Sequence, residues 1–255
     1  GVMPRNTCGA SGHELRQMVK AFVKNNNEIF GMTVALEPGI LLKTPGDFAP
    51  YYYKKGDHIA YTNLAKNSYL YKNWHWYSET RKANAAIWSE PYIDKDGGNA
   101  HMVTYSTPIY FNNGKTFAGV ATADIKLSWL DNIIQKSKIG KSGFGFIVSK
   151  DDIIIAYPDR SMHMKSLRKA NITTRSWKKY LDSKTSSSAM YFSTPCHYRG
   201  GYCWIAIKTL RSSGWKIIIV LPEQELIANI NTLTLKISII AVAGLVILHY
   251  LLLKK

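Results

Sequence analysis

The sequence predicts an α+β protein: an N-terminal helix, two antiparallel-sheet modules in tandem and a C-terminal transmembrane helix. Three observations carry this. Leu15, Met18, Val19, Phe22 and Val23 recur at helical spacing near the start, which makes one apolar stripe on a helix. Two sets of short runs, rich in β-branched and aromatic residues and bounded by Gly, Pro or Asn, flank a stretch of helical periodicity from Leu127 to Lys138. Finally, Ile237 to Leu253 is 17 residues without a formal charge, followed by Lys254 and Lys255.

In chain order, the first helix spans Ser11 to about Asn26 and stops at Asn25-Asn26-Asn27. GMTVALEPG (31–39) alternates as a strand and breaks at Pro38-Gly39. A Tyr-rich stretch follows from Tyr51 to Tyr77, its rings separated by polar turns. MVTYSTPIYF (102–111) and FAGVATADI (117–125) flank Asn112-Asn113-Gly114-Lys115, and Asn-Gly is a strong hairpin signal. The next helix places Leu127, Leu130, Ile133 and Ile134 on one face and closes at Gly140. Five further strands are read in FGFIVS, DIIIAYP, AMYFSTP, YCWIAIKTL and GWKIIIVLP, with polar Asn171 to Lys184 among them as helix or loop. Glu223 to Leu235 reads as a helix entering the apolar run, whose length approaches the roughly 20 residues that span hydrocarbon. The two closing lysines fit a cytoplasmic exit.

With 46% apolar and 12% aromatic residues, the 255-residue chain can fill a core and does not read as disordered. Its formal charge is +16, yet the basic residues are dispersed, the longest groups being the pairs Lys54-Lys55, Lys178-Lys179 and Lys254-Lys255. This is a solvated basic surface, and no nucleic-acid partner is expected. The three cysteines form no CxxC or Cys/His set, so neither a metal nor any cofactor is expected. Cys196 and Cys203 flank a plausible turn; a disulfide in an oxidising compartment and two unpaired thiols are equally open readings. Cys8 has no evident partner. The chain starts on Gly with no apolar leader, which reads as the boundary of a fragment.

Several phrases of this sequence, in this order, resemble the double Cache sensor domains of bacterial transmembrane receptors. They are TVALEPG, FAPYYYKKG, YLYKNWHWY, WSEPYIDKDGGNAHMVTYSTPI, GVATADIKLSWL, GFGFIVSKDDIIIAYPD and SSGWKIIIVLPEQEL, and they cover roughly residues 27–235. The closest look is to receptors that continue into a HAMP linker and a PP2C/SpoIIE-type phosphatase, although chemoreceptors and histidine kinases share the fold. The resemblance implies a long stalk helix (1–28), a membrane-distal PAS-like Cache module (29–126), a linking helix (127–138), a membrane-proximal module (139–222) and a juxtamembrane and transmembrane helix (223–255). It further implies an extracytoplasmic location for residues 1 to about 235, a homodimer and a small-molecule ligand.

Amino-acid-binding members of that family use a Tyr, an Arg for the ligand carboxylate, a Trp-Tyr pair and an Asp for the ligand amine. Tyr69, Trp76-Tyr77 and Asp124 match, but Trp74 stands where the Arg belongs. Without a guanidinium the bidentate grip on a carboxylate is missing, so an amine is as good a ligand as an α-amino acid. From the residues themselves, Asp124 sits where a strand pattern gives way to a helix pattern. It either caps that helix or accepts hydrogen bonds from a bound ammonium. Tyr69, Tyr71, Trp74, Trp76 and Tyr77 crowd nine positions, as core rings or as aromatic faces for a cation. Tyr92 and Tyr105 could add hydroxyls.

Asp94, Asp96 and Asn99 hint at a calcium loop, but Tyr105 stands where a bidentate Glu is needed, so they read as a solvated turn. Asp159 in AYPDRS reads as a turn residue. No GxSxG elbow occurs, and His101 and Ser106, five apart on a strand, point to opposite faces. A binding module rather than an enzyme is expected; the alternatives are a membrane-anchored enzyme and an interaction domain without a small ligand.

Overall fold

The computed structural model describes residues 11–41, 46–66, 70–95, 98–111, 116–170, 177, 181, 189–196 and 200–227. Helix α1 (Gly12–Asn25) begins with a closed capping box: the Ser11 hydroxyl accepts the Glu14 N–H, and the Glu14 carboxylate accepts the Ser11 N–H. Val19 and Val23 of its stripe are buried against the first sheet beside Val34, Leu36 and Phe48, while Met18 and Phe22 stay exposed.

That sheet is antiparallel. Its order is β3 (His58–Asn63), β2 (Pro50–Lys55), β1 (Gly31–Leu36), β7 (Thr116–Lys126), β6 (Ala100–Phe111) and β4 (Ile87–Trp88), with β5 (Tyr92–Asp94) also on β6. Strands β1 and β7 come very close at Leu36 and Gly119, where a Cβ on Gly119 would lie 2.1 Å from the Ala35 carbonyl oxygen. Only glycine fits there.

The Tyr-rich stretch is more regular than its polar turns suggest. It forms β2, β3, a 3-10 turn at Tyr71–Asn73 and helix α2 (His75–Ala83). The rings drive this order by packing on one another: Tyr71 meets Tyr77 at 5.1 Å between centroids and Trp76 meets Tyr77 at 5.8 Å. Each such pair stabilises by about 0.5–1.5 kcal/mol beyond its area.

Helix α3 (Leu127–Lys136) joins the two sheets, burying Leu127 and Leu130 with Val103 of β6 on one side and Ile147, Ile155 and Trp215 on the other. The second sheet is also antiparallel, in the order β10 (Met190–Pro195), β11 (Tyr202–Thr209), β12 (Lys216–Pro222), β8 (Phe144–Val148), β9 (Ile154–Ala156). All five strand runs read in the second half are present. Phe146, Tyr157, Phe192 and Ile205 form its core together with Trp177 and Leu181, which come from the polar stretch between strands. Cys196 and Cys203 are bonded, which settles their two open readings. Asp159 accepts the Ser161 N–H at a 3-10 turn, as read.

The chain is thus α+β with two tandem antiparallel sheets. Among the described residues no helix is long and apolar enough to cross a membrane. The 237–253 run, Cys8, Tyr69, Asp96 and the turn at 112–115 lie outside the described residues.

Candidate functional site

Side chains on a strand alternate between faces, so residues in register on neighbouring strands line up in rungs. Across β2, β1, β7 and β6, one rung aligns Tyr51, Thr33, Thr122 and Ser106; two residues along, the next aligns Tyr53, Gly31, Asp124 and Thr104. These rungs face α2. Thr33, Thr104, Ser106, Thr122 and Asp124 are all buried. Trp76, Leu64, Tyr92 and Asp94 complete a cavity of about 10 Å³ over Thr33, Tyr51, Thr104, Thr122 and Asp124, roughly the space of one water.

Asp124 is its chemical centre. One carboxylate oxygen accepts the Thr104 hydroxyl at 2.7 Å, and Thr104 in turn lies 2.8 Å from the Tyr92 hydroxyl. Burial pushes the Asp124 carboxyl up to about 7, with the Asp94 charge adding to the rise and contacts to Tyr51 and Thr104 opposing it. Burial first, then the Asp124 charge, drives the Tyr51 phenol well above its usual value. The phenol and the carboxylate sit close enough to feel one another, yet the Tyr51 hydroxyl closes no well-formed hydrogen bond among the described residues. Gly31 admits that hydroxyl: a Cβ there would lie 2.2 Å from the Tyr51 oxygen.

Thr33 Oγ1 and Ser106 Oγ are likewise buried without a hydrogen-bond partner among the described residues. An unsatisfied buried hydroxyl costs about 1–3 kcal/mol, and Thr33, which lines the cavity with Asp124 and Tyr51, makes a surface suited to a polar guest. Two acids, several hydroxyls and an indole suit an ammonium group. No Lys or Arg lines the cavity among the described residues, so a guest's carboxylate would find no counter-charge inside it.

Asp124, Trp76 and Tyr92 meet at this cavity. Asp124 caps no helix: α3 begins after Lys126, which makes no side-chain cap. Tyr71 and Tyr77 lie behind Trp76 with their hydroxyls engaged, Tyr71 on the Leu36 carbonyl at 2.8 Å and Tyr77 on the Glu37 carboxylate at 2.6 Å. Both therefore brace the indole rather than line the cavity. Trp74 is half-buried and lines a different, larger cavity. Tyr105 follows Thr104 on β6, so strand alternation turns it outward, exposed, onto Trp88 at 5.1 Å.

Asp94 corrects the solvated-turn reading. It is buried at the end of β5, accepts the Gly98 N–H at 3.0 Å and lines the cavity, because pairing with β6 turns it inward. Sequence reasoning also missed Thr33, Tyr51, Thr104 and Thr122. The available signal was period-two spacing in VATAD (120–124), which puts Thr122 on the same face as Asp124.

Residues 15–132, which hold the first sheet and this cavity, match the family described as methyl-accepting chemotaxis protein-like, first PDC sensor domain. The crystal structure of a domain described as the extracellular part of a histidine kinase superposes on 88% of this chain and 83% of its own, with TM-score 0.74 at 21% identity. The chain has the fold of that extracellular domain. The ligand-binding domain of the Pseudomonas aeruginosa amino-acid chemoreceptor PctB, solved with L-Arg, shares the fold with TM-score 0.60 at 17% identity over 90% of this chain and 80% of that one. The methyl-accepting chemotaxis protein PscA of Pseudomonas syringae pv. tomato is 35% identical over 95 residues, 37% of this chain. The chain spans 15% of the length of PscA.

Proposed function

We propose that this chain is a double Cache domain, the extracytoplasmic sensor of a transmembrane receptor, and that the Asp124 cavity binds the ammonium group of a small amine or amino-acid-like molecule. The observation that carries the reading is a buried carboxylate with its pKa near 7, set among the hydroxyls of Thr33, Tyr51, Tyr92, Thr104 and Thr122 and roofed by Trp76. The PctB domain with L-Arg makes amino acids the reference class. Trp74 in place of a cation tilts this chain towards amines. The Cys196–Cys203 disulfide fits an oxidising compartment.

A guest larger than one water requires the roof over Asp124 to move. Such a guest shifts the receptor by its difference in affinity between the open and closed roof, and by no more. The shift passes from α2 and the first sheet through α3 to the second sheet, then along the helix starting at 223 into the 237–253 run, which crosses the membrane to a cytoplasmic output. The curated relatives favour a chemotaxis-type output over a phosphatase. The receptor works as a homodimer.

A thermal-shift and calorimetry screen of the chain against amines, amino acids and carboxylates tests the reading. Stabilisation by an amine or amino acid is expected, lost in Asp124→Ala and weakened in Trp76→Phe. If both variants respond like the parent, the site is elsewhere; if nothing stabilises the parent, the interaction-domain reading takes over.

A further inference from the structure

The second sheet has two ends of opposite character. At one end Trp215, just before β12, meets Trp88 of the first module at 4.6 Å between ring centroids, and Lys150, just after β8, meets Glu90 at 3.7 Å. Strand β11 places Thr209 at this end, opposite Lys216, and Cys203 at the other, opposite Pro222. At about 3.3 Å per residue the two ends lie about 20 Å apart. The chain leaves at the far end. There Pro222 closes β12, a helix begins at Glu223, and the Glu225 carboxylate accepts the Lys141 N–H at 2.9 Å and the Ser142 hydroxyl.

Strand alternation turns Phe192 and Ile205 into the core and their neighbours outward. On that outer face Tyr191, Tyr202 and Trp204 are 66%, 55% and 40% exposed. Register sets Trp204 beside Ser193 and Tyr202 beside Pro195, at the end where the chain leaves. All seven tryptophans lie among the described residues, and the six besides Trp204 are buried or half-buried. Leu226 and Ile227 in the first turn of the exiting helix are exposed as well, as are Lys138 and Lys141 in the loop before β8.

We infer that this far end of the second module docks on a lipid surface, with Tyr202 and Trp204 in the interfacial layer and Lys138 and Lys141 against anionic headgroups. The inference rests on the proposed membrane crossing of the 237–253 run. From Ile227 to the start of that run at Ile237, a helical path covers about 15 Å, of which the headgroup layer takes about 6 Å. Rings and lysines projecting from the sheet end close the remainder. Indoles and phenols favour this layer because the ring is apolar while the N–H or O–H stays wet. A protein partner would select against lysines, whereas anionic headgroups attract them. The formal charge of +16 acts in the same direction. Docking fixes the tilt of the second module on its exiting helix, so a signal from the first module works against it.

The test is the 255-residue chain reconstituted in phosphatidylglycerol-rich vesicles, with phosphatidylcholine brominated near the top of its acyl chains as a tryptophan quencher. Quenching of about one-seventh of the emission is expected, one tryptophan in seven, and Trp204→Phe should abolish it. The double variant Lys138→Glu with Lys141→Glu keeps every tryptophan and should show at least about threefold less quenching, as should the parent in phosphatidylcholine alone. Unquenched emission in the parent, or quenching that survives Trp204→Phe, overturns the inference. So does shielding of Trp204 from both the brominated lipid and aqueous acrylamide, which means that a second copy or another part of the chain covers it. An alkaline wash separates the surface from the crossing. A chain retained by the vesicles but unquenched loses the surface alone and leaves the proposed function standing. A chain washed off, with Trp204 quenched beforehand, loses the crossing and keeps the surface.

Discussion

In the second module, the buried Asp152 lies between the Lys216 ammonium at 2.5 Å and the Arg168 guanidinium at 2.6 Å. Asp131 of α3 is held by His163 at 2.9 Å and Arg160 at 3.3 Å. In the first module, Asp124 is met by a hydroxyl and by a second acid instead, and burial pushes its carboxyl up to about 7. Both modules are antiparallel sheets covered by a helix, so the fold does not explain the contrast. A buried charge with a cation beside it holds a structure together. A buried charge without one weakens the free protein and favours whatever brings the missing cation. On the proposed function, one module is built to hold and the other to receive.

The sharpest break of this comparison is Lys216→Met, which leaves Asp152 with one partner. Removing one member of a buried pair costs about 3–5 kcal/mol, so urea denaturation should show a loss of that order. A loss below about 1 kcal/mol would mean the triad is no better paired than Asp124. Next is Asp124→Asn, which should act the opposite way. At pH 8 it removes a desolvated charge and should stabilise the free protein by roughly 2 kcal/mol while abolishing amine binding; destabilisation would deny that the carboxylate is under strain.

The pH dependence follows with its sign fixed by the direction of the shift. The folded pKa of about 7 lies above the ordinary 3.8, so the native state holds the extra proton. This group's contribution to stability is greatest at acid pH and declines as pH rises from about 4 to about 7. Ammonium binding runs the other way, because the guest needs the ionised form. Affinity should be flat above pH 7 and fall by up to about tenfold per unit below it. Calorimetry at pH 5, 6, 7 and 8 reads this slope, which Asp124→Asn should erase. A flat profile in the parent would remove Asp124 from the binding step.

Smallest is Gly31→Ala. Its methyl displaces the Tyr51 phenol, and amine affinity should fall by about three- to tenfold with a stability loss near 1 kcal/mol. Gly46→Ala, where a Cβ meets nothing within 4 Å, is the matched control and should change neither reading.

Much of the fold was legible in the residues. The helical stripe from Leu15 to Val23, the five strands of the second half and the helix after Lys126 are local patterns, and local patterns survive folding because apolar spacing must match the face it buries. The Tyr-rich stretch was read as rings separated by polar turns, and the turn at Gly56-Asp57 is there; the elements β2, β3 and α2 between the turns were not read, because their order comes from rings meeting across elements. For the site, Asp124 and Trp76 were named through the family resemblance and Tyr92 as a possible extra hydroxyl, and the fold brings the three to one cavity. Asp94 was misjudged because a loop of Asp, Gly and Asn looks solvated until strand pairing turns one of its acids inward.

By itself, the sequence determined two antiparallel sheets linked by a helix and a chemistry of rings with one carboxylate. These are written in spacing, and spacing fixes which face of an element is apolar. Register was decided only in three dimensions. It is set by pairings such as Gly31 with Asp124 and Thr104 with Asp124, tens of residues apart in the chain. That register places unsatisfied hydroxyls around one buried acid in the first sheet, while the second sheet's acids meet cations. Whether a buried charge serves as a strut or a receptor depends on which neighbours the tertiary fold gives it, and no local pattern specifies those neighbours.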